Sequence, residues 1–371
     1  MCYAVRASHT IDDVSTQPLP RDRATVAQLS RFDALIDVRT PSEFALDHIP
    51  GASNLPVLSD DERAQVGTLY KQVSPFAARK VGAALVTANI ARHLEGPLRD
   101  RPRQWRPLLY CWRGGQRSAS FTHVLREVGW DAAQLAGGYK TFRHAVIEET
   151  PALAQRLRYR VVCGLTGSGK TRLLHRLRDC GAQVLDLEGM AAHRGSVLGN
   201  LPDRAQPTQK MFESLLWERL RALDPARVVY VESESKKIGR LQVPQSLMDC
   251  MWASACVRID ADARVRASLL KHEYAHFLAD VAALHRQLDR LVVLHGHQAI
   301  ARWKDLAAAH EWDALVEALL QRHYDPAYGR SIVSHYPRLV DATVLRIDSD
   351  TDQAYLDAAS ALVGARLEAA V

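Results

Sequence analysis

The sequence predicts two α/β domains in tandem, each on a parallel sheet, followed by a mostly helical C-terminal part. Three observations predict it. Short apolar runs alternate with helix-length segments from Phe32 to about Ala261. Two glycine-rich loops each follow such a run and precede a helical pattern, the connection that parallel sheets use. At 371 residues and 41.3 kDa the chain is too long for one typical domain of ~100–200 residues.

Residues 1–23 mix polar, proline and charged residues without periodicity and read as a loose lead-in. The first α/β domain is expected over 24–150. Ala34-Leu35-Ile36-Asp37-Val38 is a short apolar run, as in a buried strand. A short helix starts at Pro41, a loop spans His48-Ile49-Pro50-Gly51-Ala52, and 76–94 reads as helix. Residues 98–107 form an Arg- and Pro-rich loop. Leu108-Leu109-Tyr110 is a second buried strand that ends at Cys111, and a helix follows over 118–128. The second domain, 151–262, opens with a strand at 160–163 and continues with strands near 183–187, 228–232 and 256–260. Residues 263–371 read as mostly helical and packed on the second domain.

Composition narrows the function classes. Hydrophobic content of 47% and charged content of 24% suit a chain that builds real cores. A formal charge of +6 and a pI near 9.0 fit an anionic partner such as RNA. The six cysteines are scattered without a C-x-x-C pair, which argues against a disulfide framework or a cysteine zinc knuckle. No apolar run approaches the ~20 residues of a membrane span, and no signal-peptide core stands at the N-terminus. A cytoplasmic protein without a membrane partner is expected.

Cys111-Trp112-Arg113-Gly114-Gly115-Gln116-Arg117-Ser118 joins a strand to a helix. A nucleophilic cysteine works as thiolate, which a helix N-terminus and nearby guanidinium groups favour. Gly114 and Gly115 let the backbone curl so that amide N–H groups converge on an anion above the sulfur. Arg113, Gln116 and Arg117 complete the anion loop. Asp37 and Arg39, at the end of the neighbouring strand, are candidates to brace it.

Gly164-Leu165-Thr166-Gly167-Ser168-Gly169-Lys170-Thr171 matches the P-loop pattern G-x-x-x-x-G-K-[ST] without a mismatch, between a strand and a helix. Its backbone wraps a polyphosphate, Lys170 neutralises charge, and Thr171 offers a hydroxyl to Mg²⁺. Glu232, at the end of the strand 228–232, and Asp186, with its neighbour Glu188, are candidate carboxylates for Mg²⁺ or a water. His272-Glu273-Tyr274-Ala275-His276 spells H-E-x-x-H, but the metzincin continuation is missing: residues 279 and 282 are both alanine. No dedicated structural metal site and no tightly bound cofactor are expected. Arg99, Arg101, Arg103, Arg106, Arg156, Arg158 and Arg160 are the basic residues offered for RNA contact.

Residues 32–148 resemble a rhodanese domain, through Asp37-Val38-Arg39, Glu43-Phe44, His48-Ile49-Pro50-Gly51-Ala52, the cysteine loop and Gly137-Gly138-Tyr139. Cys111 and Arg117 enclose five residues where ordinary sulfurtransferase loops have four, which leaves room for a tetrahedral anion. With the P-loop domain the chain resembles the bacterial tRNA 2-selenouridine synthase family. Further matches are Val66-Gly67-Thr68-Leu69-Tyr70-Lys71, Asp186-Leu187-Glu188-Gly189, His193-Arg194-Gly195-Ser196, Gln206-Pro207, Glu232-Ser233-Glu234-Ser235 and, in the tail, Tyr324-Asp325-Pro326-Ala327-Tyr328. The resemblance implies a rhodanese-like domain followed by a P-loop NTPase-like domain with a helical extension. It implies a selenotransferase with tRNA geranyltransferase activity. Wobble 2-thiouridine becomes 2-selenouridine through an S-geranylated intermediate, with geranyl diphosphate and selenophosphate as substrates. Cys111 would carry selenium and the P-loop would hold the prenyl diphosphate. Partners would be tRNA and the enzyme that supplies selenophosphate. Three alternatives stand beside it: a nucleotide-dependent RNA kinase or remodelling module with a regulatory rhodanese-like domain, a phosphatase, and an anion- or RNA-binding scaffold.

Overall fold

The computed structural model describes residues 22–367, as two compact units that divide between His144 and Ala145. The division falls inside the helix Gly138–Gln155. The lead-in expected over 1–23 lies almost wholly outside the described residues.

The first unit is a five-stranded parallel sheet. Its strands are β1 (Arg23–Ala24), β2 (Ala34–Asp37), β3 (Ser53–Asn54), β4 (Pro107–Tyr110) and β5 (Ala133–Leu135), in the order β1-β5-β4-β2-β3. Strand β4 is buried at all four positions, because helices cover both faces of a parallel sheet. Ile36, Leu109, Phe121 and Leu125 share its core with Val38, Trp105 and Cys111. Local sequence sets the helix starts. Thr40 caps the helix Pro41–Leu46 in a reciprocal box with Glu43, and Pro41 occupies the first helical turn. Ser59 and Glu62 repeat the device for Asp60–Gln72, and Ser74 with Pro75 starts Pro75–Glu95. Gly129, with φ of +108°, ends the helix Gln116–Val128 in the left-handed region.

The second unit holds another parallel sheet, built from β6 (Arg158–Cys163), β7 (Gln183–Leu185), β8 (Val228–Glu232), β11 (Ala255–Ala261) and β12 (Thr343–Ile347). Strands β9 (Lys237–Ile238) and β10 (Leu241–Gln242) form a small antiparallel pair. The main order is β12-β11-β6-β8-β7, so β6 lies at the centre. Alternation along β6 sends Val161 and Cys163 into one core layer and Val162 into the other. Phe212, Leu216 and Leu220 fill the first layer; Leu173, Leu177 and Tyr355 fill the second.

The C-terminal segment contributes to that sheet as well as to helices. Strand β12 pairs in parallel with β11, and the helix Asp352–Leu367 packs Tyr355, Ala359 and Leu362 against Leu173 and Leu177. The helices between Ala263 and Leu319 build a further core around Trp303, Phe277, Leu284, Leu315 and Leu319. Trp303 is buried there, and Trp312 packs on its edge. The H-E-x-x-H segment straddles a break: the helix Ala263–Glu273 ends, Tyr274 leaves helical geometry, and a new helix runs Ala275–Ala279. No helix among the described residues is long and apolar enough to cross a membrane.

Candidate functional site

Cys111 follows the last residue of β4, at the carboxyl end where open α/β sheets place their ligands. The residue is 3% exposed, and its sulfur points into the loop that follows. Sγ accepts the Gly115 N–H at 3.2 Å and the Ser118 hydroxyl at 3.1 Å. Gly115 is the N-cap of the helix Gln116–Val128, so the sulfur sits at a helix N-terminus where negative charge is favoured. Gln134 on β5 donates to Ser118 Oγ at 2.7 Å and to the Gly115 carbonyl at 3.0 Å, which leaves the serine proton for the sulfur or for the Gly115 carbonyl at 3.3 Å.

Two glycines make this curl feasible. Gly114 has φ of +61°, and a Cβ there would lie 2.9 Å from the Leu135 carbonyl. Gly138 has φ of +62°, and its Cβ would come within 2.3 Å of the Cys111 carbonyl and 2.5 Å of Gly114 N. Only glycine fits either position.

Asp37 and Arg39 form a fully buried pair at 2.6 Å. Arg39 also donates to the Asp47 carbonyl at 2.6 Å and stacks 3.9 Å over the Tyr139 ring. Tyr139 donates its hydroxyl to Asp47 at 2.6 Å and its backbone N–H to the Cys111 carbonyl at 2.8 Å. The pair thus reaches the cysteine loop through Tyr139. Arg117 binds Glu43 at 3.0 Å, and this contact holds the Glu43 carboxyl below its usual range against the opposing effect of burial. Arg113 and Gln116 are exposed.

In the second unit, Gly164–Gly169 bridges β6 to the helix Lys170–Asp179. A Cβ at Gly167 would meet Leu270 at 2.7 Å, and one at Gly169 would meet the Tyr355 hydroxyl at 2.5 Å. Lys170 Nζ donates to the Gly164 carbonyl at 3.1 Å and lies 5.1 Å from the centre of the Tyr328 ring. Burial works against its charge, but Tyr328, Glu188 and Glu234 outweigh burial and raise its pKa. Ser168 Oγ is buried without a hydrogen-bond partner, an orphan aimed from a loop built for anions. Thr171 Oγ1 donates to Glu188 Oε2 at 2.9 Å.

The loop opens on a cavity of about 550 Å³. Its walls carry Lys170, Arg172, Arg176 and Arg194 together with Glu188, Glu234 and Glu273. Of the three carboxylates nominated from sequence, Glu188 lines this cavity and the other two lie behind its surface. Glu232 is fully buried and accepts the Glu188 N–H at 2.8 Å; Asp186 accepts the Gly189 N–H at 2.7 Å and faces His175 at 3.1 Å. Burial pushes the Glu232 carboxyl well up, reinforced by Asp186 and Glu188. Burial and Glu188 do the same to Glu234.

Family models match both units: a rhodanese-like domain over residues 23–145 and a tRNA 2-selenouridine synthase AAA domain over 157–292. The tRNA 2-selenouridine synthase of Aeromonas salmonicida is 34% identical over 339 residues, covering 82% of this chain and 89% of that one. The chain belongs to the tRNA 2-selenouridine synthase family. The synthase of Alcanivorax borkumensis is 35% identical over 79% of this chain and 88% of its own, and that of Cupriavidus necator 36% over 80% and 87%.

Several residues that shape the sites in this family member carry little or no local sequence signal. Arg266, 4% exposed, donates Nε to the Thr166 carbonyl at 2.9 Å and forks onto Asp325 at 2.5 and 3.1 Å. Tyr355 donates to the Ser168 carbonyl at 2.9 Å. Arg194 lies 5.1 Å over the Tyr274 ring with Nη1 buried and unbonded. Asp325 and Tyr328 had a pointer in the Tyr-Asp-Pro-Ala-Tyr run, and Arg194 had one in His193-Arg194-Gly195-Ser196; Arg266 and Tyr355 had none. Of the arginines offered for RNA contact, Arg106, Arg156 and Arg158 spend their guanidinium groups on backbone carbonyls, and Arg101 stacks over Trp105.

Proposed function

We propose that the chain converts wobble 2-thiouridine of tRNA to 2-selenouridine through an S-geranylated intermediate, with geranyl diphosphate and selenophosphate as substrates. One observation carries the reading: each unit ends a central strand in an anion cradle, one at the Cys111 sulfur and one at Lys170. Family membership supports tRNA as the substrate, and the cytoplasm, where tRNA is modified, as the compartment.

In the first reaction the P-loop amides and Lys170 hold the diphosphate. The thiocarbonyl sulfur attacks C1 of the prenyl chain, the C1–O bond breaks, and the electron pair leaves on the diphosphate. Donors held in place before reaction stabilise that leaving group. Alkylation makes C2 of the base electrophilic and its sulfur a leaving group. In the second reaction the cradle of Gly115, Gln116, Arg113 and Arg117 holds the phosphoryl group of selenophosphate, and Cys111 is the nucleophile that frees its selenium: the thiolate attacks phosphorus, the P–Se bond breaks, and selenium leaves at the selenide level. The selenide attacks C2, the C2–S bond breaks with its electron pair leaving on geranylthiolate, and water hydrolyses the phosphorylated Cys111 to return the thiolate. Asp37 and Arg39 position the loop through Tyr139.

Thr171 and Glu188 present the hard oxygen donors that Mg²⁺ takes, and bound there it would offset diphosphate charge. The enzyme that makes selenophosphate is the expected supplying partner.

Nucleoside mass analysis of tRNA tests the reading. Lys170→Ala should abolish geranylated tRNA. Cys111→Ser should still geranylate but form no selenouridine. Intact geranylation in the first variant, or selenation in the second, overturns the corresponding assignment. The Thr171–Glu188 pair would also suit a nucleotide-dependent RNA kinase or remodelling module. tRNA-stimulated nucleotide hydrolysis without a change in base mass would favour that second reading.

A further inference from the structure

Beside the P-loop cavity lies a smaller one, of about 50 Å³, within the same unit. Its lining is almost wholly apolar: Leu198, Phe277, Leu284, Leu315 and Leu319 come from the helical core that surrounds Trp303. Lys271 contributes its aliphatic stem, since its ammonium group is held by Asp313 at 2.6 Å. Leu270, Tyr274 and Tyr324 line both cavities and are their common wall. Leu270 also packs directly on the P-loop, where it meets the position a Gly167 Cβ would take. One side chain therefore separates the phosphate loop from the apolar annex.

That juxtaposition describes an amphiphile: an anionic head on the loop and an apolar tail passing Leu270 and Tyr274. A nucleoside base would need hydrogen-bond partners that these annex walls lack. We propose that the annex receives the far end of the apolar chain of the diphosphate ester, and that Trp312 and Val316, which line the annex and not the larger cavity, set the chain length used. The inference rests on the reading that the P-loop holds a prenyl diphosphate. The size of the annex makes the inference specific. A cavity needs roughly 10–15 Å³ of such space for a group the size of water. The annex therefore admits only three to five such groups, about one isoprene unit. Head and first isoprene lie in the larger cavity, and the second isoprene fills the annex.

The test uses the full chain, 2-thiouridine tRNA, and dimethylallyl, geranyl and farnesyl diphosphates in competition, with products read by mass. Trp312 and Val316 are only half-buried, which favours folding of the variants. Trp312→Ala should raise the farnesyl-to-geranyl product ratio about tenfold, and Val316→Trp should lower geranyl use about tenfold while dimethylallyl use stays within about twofold. Should one variant fail to fold, the other carries the test alone. Binding of inorganic pyrophosphate, followed by calorimetry, should persist in both and vanish in Lys170→Ala. Product ratios unchanged in both variants with pyrophosphate binding intact overturn the annex assignment alone. If the native chain does not bind pyrophosphate, the reading of the P-loop fails first and removes the annex with it.

Discussion

The Tyr328 hydroxyl accepts the Gly164 N–H at 3.0 Å while its ring lies 5.1 Å from Lys170 Nζ, so one side chain from the C-terminal segment holds both ends of the P-loop. The same hydroxyl lies 2.8 Å from Ser233 Oγ beyond the end of β8. Tyr328→Phe removes these two hydrogen bonds and keeps the ring. Pyrophosphate affinity should fall about three- to tenfold by calorimetry, as expected when the bond to the Gly164 N–H, the one of the two that touches the P-loop, is lost at ~0.5–1.5 kcal/mol. Tyr328→Ala, which also removes the ring, should lose more. Equal affinity in Tyr328→Phe and the native chain would show that the hydroxyl does not shape the loop.

Ser118→Ala deletes the O–H donor 3.1 Å from the Cys111 sulfur and leaves the Gly115 amide in place. The sulfur then keeps one of its two hydrogen-bond donors and is held less firmly in the loop, so alkylation by iodoacetamide at neutral pH should change about fivefold from the native rate, and an unchanged rate would show that Ser118 does not serve the sulfur. Because Cys180 and Cys250 are partly exposed, the alkylated cysteine must be identified by peptide mass.

Gly138→Ala places a Cβ 2.3 Å from the Cys111 carbonyl at a φ of +62°. Backbone must move on both sides of the cysteine loop, at a cost of about 2–4 kcal/mol in denaturant unfolding of the first unit. Selenation should be lost, whereas pyrophosphate binding by the P-loop should be retained.

Glu232 yields a pH prediction. Burial raises its folded-state pKa, reinforced by Asp186 and Glu188, so the folded chain holds this proton where the unfolded chain has released it. Stability from this group is therefore complete below the ordinary carboxylate range and declines as pH rises toward the raised value. The decline is up to about 1.4 kcal/mol per pH unit for one proton. Glu232→Gln keeps an acceptor for the Glu188 N–H and removes the titration. Its urea stability should be flatter between pH 5 and 8 and exceed that of the native chain at the upper end. A Glu232→Gln profile that runs parallel to the native one across the same range would show that Glu232 does not hold the proton in the folded state.

The readability of these sites follows from the range of the forces involved. Strand β6 and the following loop were legible because an apolar run and a glycine spacing are local properties. So was the end of β4, where Leu108–Tyr110 leads into Cys111 and two glycines. Strand β12 was not: Val344, Leu345 and Ile347 are apolar, but Arg346 interrupts them, and an edge strand with one buried residue in five shows no clean alternation. The cavity carboxylates were legible only in part. Glu232 ends a strand with its side chain inward, and beyond it the chain leaves the sheet, so the period of two no longer tells which way Glu234 points. Likewise the break at Tyr274 divides a motif whose spelling assumes an unbroken helix.

By itself, the order of amino acids determined that this protein has two parallel-sheet units, each with an anion loop after a buried strand. Those features depend on neighbouring residues whose sterics and hydrophobicity act over a few positions. Tertiary structure alone decided that Ser118 and Gln134 serve the sulfur. It also decided that Arg266, Tyr328 and Tyr355 hold the P-loop and that an apolar annex opens behind Leu270. These partners are brought together from distant parts of the chain by burial of a common core, and core packing leaves no spacing rule in the sequence.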